Sequence, residues 1–167
     1  MSQLSATHET LWELIKDIKF GMFTHRHASG MLHSHPLTTV NKSLDEHAVL
    51  YFFVSKKSEV GQRVLADGNV CVSYSDTAKD SYVCVSGQAS VSEDMETKKR
   101  LFNAITKAWF PGGPEDPDLE LIEVHTHHAE YWDVKESKVT QLLKMATAAV
   151  TGEPPKIGEH RELRFPA

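Results

Sequence analysis

Apolar positions change period repeatedly along the chain, alternating between helical spacing and the two-residue repeat of strands. From His8 to Lys19, Leu11, Trp12, Leu14, Ile15 and Ile18 fall on one helical face, with Thr7 placed to cap it. This predicts a short amphipathic opening helix. Phe20 to Arg26 reads as a strand, His27-Ala28-Ser29-Gly30 as a turn and Met31 to Val40 as the returning strand, together a β-hairpin. Val49 to Val54 is a continuous β-branched and aromatic run, too short for a helix core. It suits a strand buried on both faces at the centre of a sheet.

Val60, Val64 and Leu65 return to helical spacing between Ser55 and Asp67, and Gly68 stops that helix. Val70 to Ser75 and Ser81 to Val91 are alternating strands, and Glu93-Asp94 suits the first turn of a helix running to Trp109. Pro111-Gly112-Gly113-Pro114 breaks it, Leu121 to Val134 forms a last long strand, and Lys138 to Val150 is a closing helix stopped by Gly152. About six strands joined by links too short for parallel crossovers predict an antiparallel sheet or barrel. Residues 1–150 form one domain in this reading, and 151–167 an extended tail without periodicity.

The 167 residues suit a single core, and a 40% hydrophobic, 25% charged composition is that of an ordinary globular chain. A net charge of -5 argues against a nucleic-acid partner, since that affinity comes from Lys and Arg neutralising phosphates. No stretch approaches the roughly 20 apolar residues that span a bilayer, and Met1 to Glu9 lacks an apolar signal core, so the expectation is a cytoplasmic protein off the membrane. Cys71 and Cys84 lie in strands without CxxC spacing and read as buried free thiols. Hydrolase and nucleotide triphosphatase readings fall away: the chain has no GxSxG, no Walker loop and no GxGxxG.

Trp109-Phe110-Pro111-x-Gly113 followed by Asp116-Pro117, and Ala129-Glu130-Tyr131-Trp132-Asp133 closing the last strand, resemble the general stress protein 26 branch of the pyridoxamine 5'-phosphate oxidase-like proteins. Ser34-His35-Pro36-Leu37, the Tyr51 to Val54 strand followed by Ser55 and Ser58, Val83 to Gly87, and Val150 to Pro154 extend the resemblance over nearly the whole chain. It implies a mainly β (α+β) fold, a six-stranded antiparallel split β-barrel with flanking helices. It also implies a homodimer with flavin mononucleotide (FMN) in clefts built from both subunits, flavin adenine dinucleotide (FAD) being the alternative flavin. The cofactor-binding residues implied are Ser34, His35, Pro36, Leu37, Phe53, Val54, Ser55 and Ser58, with Trp109 as a ring that stacks on the flavin or packs in the core.

The chain departs from the family pattern where the phosphate would sit. His35 stands in place of an arginine whose guanidinium grips phosphate with two parallel bonds, and an imidazole with a reference pKa of ~6.5 carries only part of that charge. Val54 and Val60 replace a hydroxyl and a lysine, each loss worth ~1–3 kcal/mol where charged groups are involved. Lys56, Lys57 and the helix start near Ser58 are the expected compensation.

The resulting expectation is an FMN-binding oxidoreductase-like protein of unspecified substrate. Pyridoxamine 5'-phosphate oxidation itself is not expected, because the family's C-terminal substrate-binding extension is missing from the sequence. The alternative is a non-catalytic flavin- or haem-binding protein with a weakened phosphate site. A lesser one is a metal-binding dimer using His25, His27, His33 and His35, which period-2 spacing sets on the hairpin arms. Hairpin histidines facing solvent are common, so no metal is assigned. His125, His127 and His128 lack a carboxylate at motif spacing, Trp132 reads as core, and Glu130 and Asp133 read as structural.

Overall fold

The computed structural model describes residues 3–166; Met1 and Ser2 of the polar leader and Ala167 of the tail lie outside them. In chain order the elements are α1 (Gln3–Ile15), β1 (Gly21–Arg26), β2 (Leu32–Leu37), β3 (Val49–Ser55), α2 (Glu59–Ala66), β4 (Asn69–Asp76) and β5 (Ser81–Ser92). They continue with α3 (Met95–Leu101), α4 (Ala104–Trp109), β6 (Leu119–Asp133), α5 (Lys138–Thr151) and β7 (Glu159–Arg164). Among the described residues no helix is long and apolar enough to cross a membrane.

All strand pairs are antiparallel, in the order β2-β1-β4-β5-β6-β3. The sheet curls until its two ends meet: Thr39, just beyond β2, bridges to Phe52 of β3, and Val40 N donates to Tyr51 O at 2.9 Å. Asn41 completes the seam with its side chain, accepting from Tyr51 N at 2.7 Å and donating to Val49 O at 2.8 Å. This is the six-stranded split barrel with flanking helices that the resemblance implies. Inward alternation fills it with Phe23, Leu50, Phe52, Val72, Val85, Ile122 and Val124, each sealed from water. Leu11 and Ile15 of α1 join the same core.

Several elements differ from the sequence reading. The apolar run of β3 lies at the end of the strand path, not at its centre. Its outward residues are apolar because helices cover them; Phe53 meets Phe102 edge-on at 6.1 Å. The single helix expected up to Trp109 is two, since Asn103 takes an extended backbone and caps a second one. Helix α1 starts before Thr7, so that residue lies inside it: apolar spacing locates a buried face, not a helix start. Leu65, at the solvent side of α2, is exposed.

The tail is also structured, with β7 pairing with the C-terminal half of β6 from His128↔Arg164 to Asp133↔Glu159. Its sequence, Glu-His-Arg-Glu-Leu-Arg, has no buried face of its own, and its hold is the backbone ladder and Phe165, which enters the core. Trp132 therefore packs outside the barrel, two-fifths exposed, its ring stacked on His160 at 4.8 Å. His128 finds its carboxylate in Glu162, 34 residues away, at 2.7 Å. Cys71 and Cys84 are free thiols on the outward, half-buried face, with sulfurs 3.0 Å apart.

The β5–β6 pairing slips by one residue between Ser86 and Gly87. A Cβ on Gly87 would lie 2.2 Å from the His125 carbonyl oxygen, so the irregularity requires glycine there. Gly87→Ala is expected to destabilise the fold by ~1–3 kcal/mol, the range for forced overpacking. Urea unfolding measures this, and an unchanged midpoint would show that the strands relax around the added methyl.

Candidate functional site

Where the barrel closes, the end of β2, the end of β3, the start of α2, and α4 with its flanking residues enclose a cavity of about 400 Å³. That volume lies within the ~300–1,000 Å³ range of small-molecule sites. Phe20, Leu37, Val40, Phe53, Ile105 and Trp109 supply apolar and aromatic wall, while His35, Ser55, Ser58 and Glu59 bring polar groups to it. Gly61 sets the approach of α2: a Cβ there would stand 2.6 Å from the Ser55 carbonyl oxygen. The helix thus starts against the last residue of β3.

Of the residues singled out from sequence, His35, Pro36, Leu37, Phe53, Val54, Ser55, Ser58 and Trp109 line the cavity; Ser34, Lys56 and Lys57 do not. Strand alternation turns Ser34 away from His35, and its hydroxyl pairs with that of Thr24 at 3.0 Å. Lys56 and Lys57 sit exposed on the β3–α2 turn, their backbone amides bonded to Asp118 O and Ser55 Oγ. The positive charge expected from these lysines is therefore absent from the cavity wall.

The serine hydroxyls are engaged within the protein. Ser55 Oγ donates to Asp118 Oδ2 at 2.6 Å; Ser58 Oγ donates to Ser55 O at 2.6 Å and accepts from Gly61 N at 3.1 Å. Ser58 is thereby the N-cap of α2. Glu59 and Val60, the first two helical residues, line the cavity, and first-turn amides have no acceptor within their own helix. The start of a helix, with its free amide donors, thus lies at the cavity's edge beside the Glu59 carboxylate.

The same helix start brings in a carboxylate that sequence reading passed over. Glu59 Oε1 lies 2.6 Å from His33 Nδ1, 3.3 Å from His25 Nε2 and 3.9 Å from His35 Nε2. The register of β1 on β2 pairs His25 with His33 directly and sets His35 beside them, its ring stacked on that of His25 at 5.2 Å. His27, just past β1, stacks on His33 at 4.4 Å. Burial pushes the Glu59 carboxyl upward, but the His33 hydrogen bond and the charges of His33, His25 and His27 outweigh it and leave the acid stronger than usual. His25 is sealed from water, and desolvation lowers its pKa despite the opposing Arg26 backbone and Glu59 charge. Its Nδ1 is buried without a hydrogen-bond partner among the described residues. Adjacent histidines were visible in sequence; Glu59 was not, because its tie to them spans 26 residues.

Residues 6–156 match the family described as "Pyridoxamine 5'-phosphate oxidase like". The chain belongs to that family. Its fold is shared with an assigned general stress protein 26 from Jannaschia sp. CCS1, at a TM-score of 0.72 and 23% identity over 99% of this chain and 100% of the other. The general stress FMN/FAD binding protein of Xanthomonas citri aligns with a TM-score of 0.66 and 25% identity, over 80% of this chain and 92% of that one. Among curated proteins, protein bli-3 of Neurospora crassa is 27% identical over 122 residues, 68% of this chain. The chain spans only 58% of that relative's length.

In this pyridoxamine 5'-phosphate oxidase-like chain the outer wall of the cavity depends on a cap. Asn103 Oδ1 accepts from Ile105 N and Thr106 N, both at 2.9 Å, and so starts the short helix that carries Ile105 and Trp109. An asparagine between two helical runs is a recognisable cap signal, and the sequence reading missed it by carrying one helix through. Asn103→Ala is expected to cost ~1 kcal/mol of stability in chemical denaturation, and Asn103→Asp to retain most of it. Equal stabilities for wild type and the alanine variant would show that α4 is held by packing alone.

Proposed function

We propose that the chain binds a flavin in this cavity as an oxidoreductase-like protein, FMN being the first choice and FAD the second. The observation that carries the reading is the cavity itself: aromatic and aliphatic walls beside a helix start, lined by eight of the residues the family resemblance marks for flavin contact. Phe53 and Trp109 offer ring faces for the isoalloxazine, and the amides of Glu59 and Val60 offer donors to its phosphate. The name of the X. citri neighbour, an FMN/FAD binding protein, supports the same assignment. Bound flavin would supply electron transfer or hydride transfer, while this chain supplies shape, orientation and exclusion of water.

The reading includes a second copy of the chain. Trp109 is 80% exposed, and Phe20 and Ile105 beside it are at least half exposed, so the cavity's apolar rim lacks cover within one chain. Met22, Leu32, Tyr82 and Trp132 add outward apolar surface on the strands. A homodimer that covers both surfaces would complete the clefts, as apolar patches of this kind mark interfaces. Cytoplasmic residence belongs to the same reading.

One observation favours the non-catalytic alternative, a flavin- or haem-binding protein with a weakened phosphate site. His35 turns Nε2 toward His25 at 3.2 Å, and Val54 and Val60 are buried apolar groups, so none of the three replaces the charges the family pattern would place there. The absorption spectrum of protein purified without added cofactor, and again after incubation with FMN and desalting, tests the flavin reading. Retained flavin in near-stoichiometric amount is the expected result, and Trp109→Ala should weaken binding by ~2- to 10-fold, as loss of one aromatic contact implies. A colourless protein that also fails to hold added FMN overturns the flavin reading, and a retained haem band selects the alternative.

A further inference from the structure

The histidine cluster on β1, β2 and α2 has the geometry of a metal site. His25 Nε2 lies 3.2 Å from His35 Nε2 and 3.3 Å from Glu59 Oε1, and the third edge, from His35 Nε2 to Glu59 Oε1, is 3.9 Å. Bonds of ~2.0–2.1 Å from imidazole or carboxylate to zinc, set tetrahedrally, put ligand atoms ~3.3–3.4 Å apart. Two edges of the triangle already have that length. The third shortens by a small rotation of His35 or Glu59, both of which are partly exposed.

We propose that His25, His35 and Glu59 bind one divalent first-row transition ion, with zinc as the reference ion and the open coordination position facing the cavity. Two imidazoles and one carboxylate are a donor set for zinc and for ferrous iron, whereas calcium and magnesium prefer all-oxygen shells. Three further features fit such a site. His33, bonded to Glu59 Oε1 at 2.6 Å, fixes the carboxylate from outside, as groups around a metal commonly do. His25 is fully buried with Nε2 aimed at the other two ligand atoms, so its direction is set by packing rather than by solvent. His27 stacks on the far side of His33 and limits its rotation.

The position of the ion gives it a role. His35 and Glu59 both line the cavity, so a ligand there can reach the fourth position with an anionic oxygen. A dication held by two neutral imidazoles and one carboxylate brings a net positive charge to the part of the cavity wall that His35 and Glu59 form. The chemical class it would take is a phosphate or carboxylate group of the cavity ligand. The ion site stands without the flavin reading; only its anchoring role rests on it.

Tag-free protein stripped with chelator and dialysed, with no flavin added, is titrated with Co²⁺ while its ligand-field absorption is recorded, and then with Zn²⁺ in competition. One ion per chain with a tetrahedral or five-coordinate cobalt spectrum is expected. His35→Gln and Glu59→Gln should each weaken uptake at least tenfold and His33→Gln by a smaller factor, while His47→Gln, on an exposed loop, leaves it unchanged. Circular dichroism establishes that each variant is folded, and His35 and Glu59, being partly exposed, are the sites to change before the buried His25. Wild-type protein that takes up neither ion, or uptake indifferent to both His35→Gln and Glu59→Gln, overturns the proposal. Flavin retention measured separately on the stripped protein keeps the two readings apart: metal uptake without flavin leaves the ion site standing, and flavin without metal uptake removes it.

Discussion

The backbone ladder along β6 is the constraint on which the rest of the molecule depends. This strand is 15 residues long, and β5 pairs along one of its edges from Leu121 to Asp133. Its other edge is shared: β3 takes Leu119 to His125, and β7 takes His128 to Asp133. One strand therefore joins the closed part of the barrel to the added tail strand. Because side chains alternate, a one-residue slip in its pairing turns the buried residues beyond that point outward, and the shift near Thr126 is what lets Ile122 and Val124 on one side and Ala129 and Tyr131 on the other all face the core. The irregularity at Gly87 falls where β6 passes from one edge partner to the other, near Thr126, and local twist at that point lets the sheet turn.

The cavity follows from how that barrel closes. Seven residues of β3 pair with β6, but only a bridge at Thr39 and the side chain of Asn41 join β3 to the segment after β2. Helices α2 and α4 lie beside that seam, and the space between them and the ends of β2 and β3 is the cavity. Wall and opening thus have one origin, and a second chain packed against Trp109 and Ile105 would alter the site without touching the barrel core.

Electrostatically the site is unusual in placing its one carboxylate, Glu59, at a helix start among four histidines. Burial opposes the charged form there, but the His33 hydrogen bond and the charges of His33, His25 and His27 outweigh it and hold the acid below its usual value; a helix start is in addition a favourable place for an anion. The same arrangement means that the positive character expected of a phosphate pocket is spent internally, on Glu59, unless a cation joins the cluster. Lys56 and Lys57 do not change this, because both are exposed and neither lines the cavity.

The order and type of most elements were legible in the sequence because each depends on local period: Ser81 to Val91 alternates, Lys138 to Val150 repeats helically, and Gly152 ends that helix with a left-handed backbone, φ 73°. The seam of Asn41, the split role of β6 and the tail strand were not, because a polar strand such as Glu159–Arg164 is held by partners and not by its own pattern. The site divides in the same way. The residues His35, Phe53, Ser55 and Ser58 could be named from motifs that lie close together in the chain. That Ser34 faces out, that Trp132 stacks on His160 outside the core, and that Glu59 meets His25 and His35 were decided by register and by the packing of α2. By itself the sequence determined most of the segments that become strands and helices and which family they compose; only the tertiary structure decided the tail strand and which side chains share a space, because contacts between distant segments are set by ladder register and closure, to which local periodicity is blind.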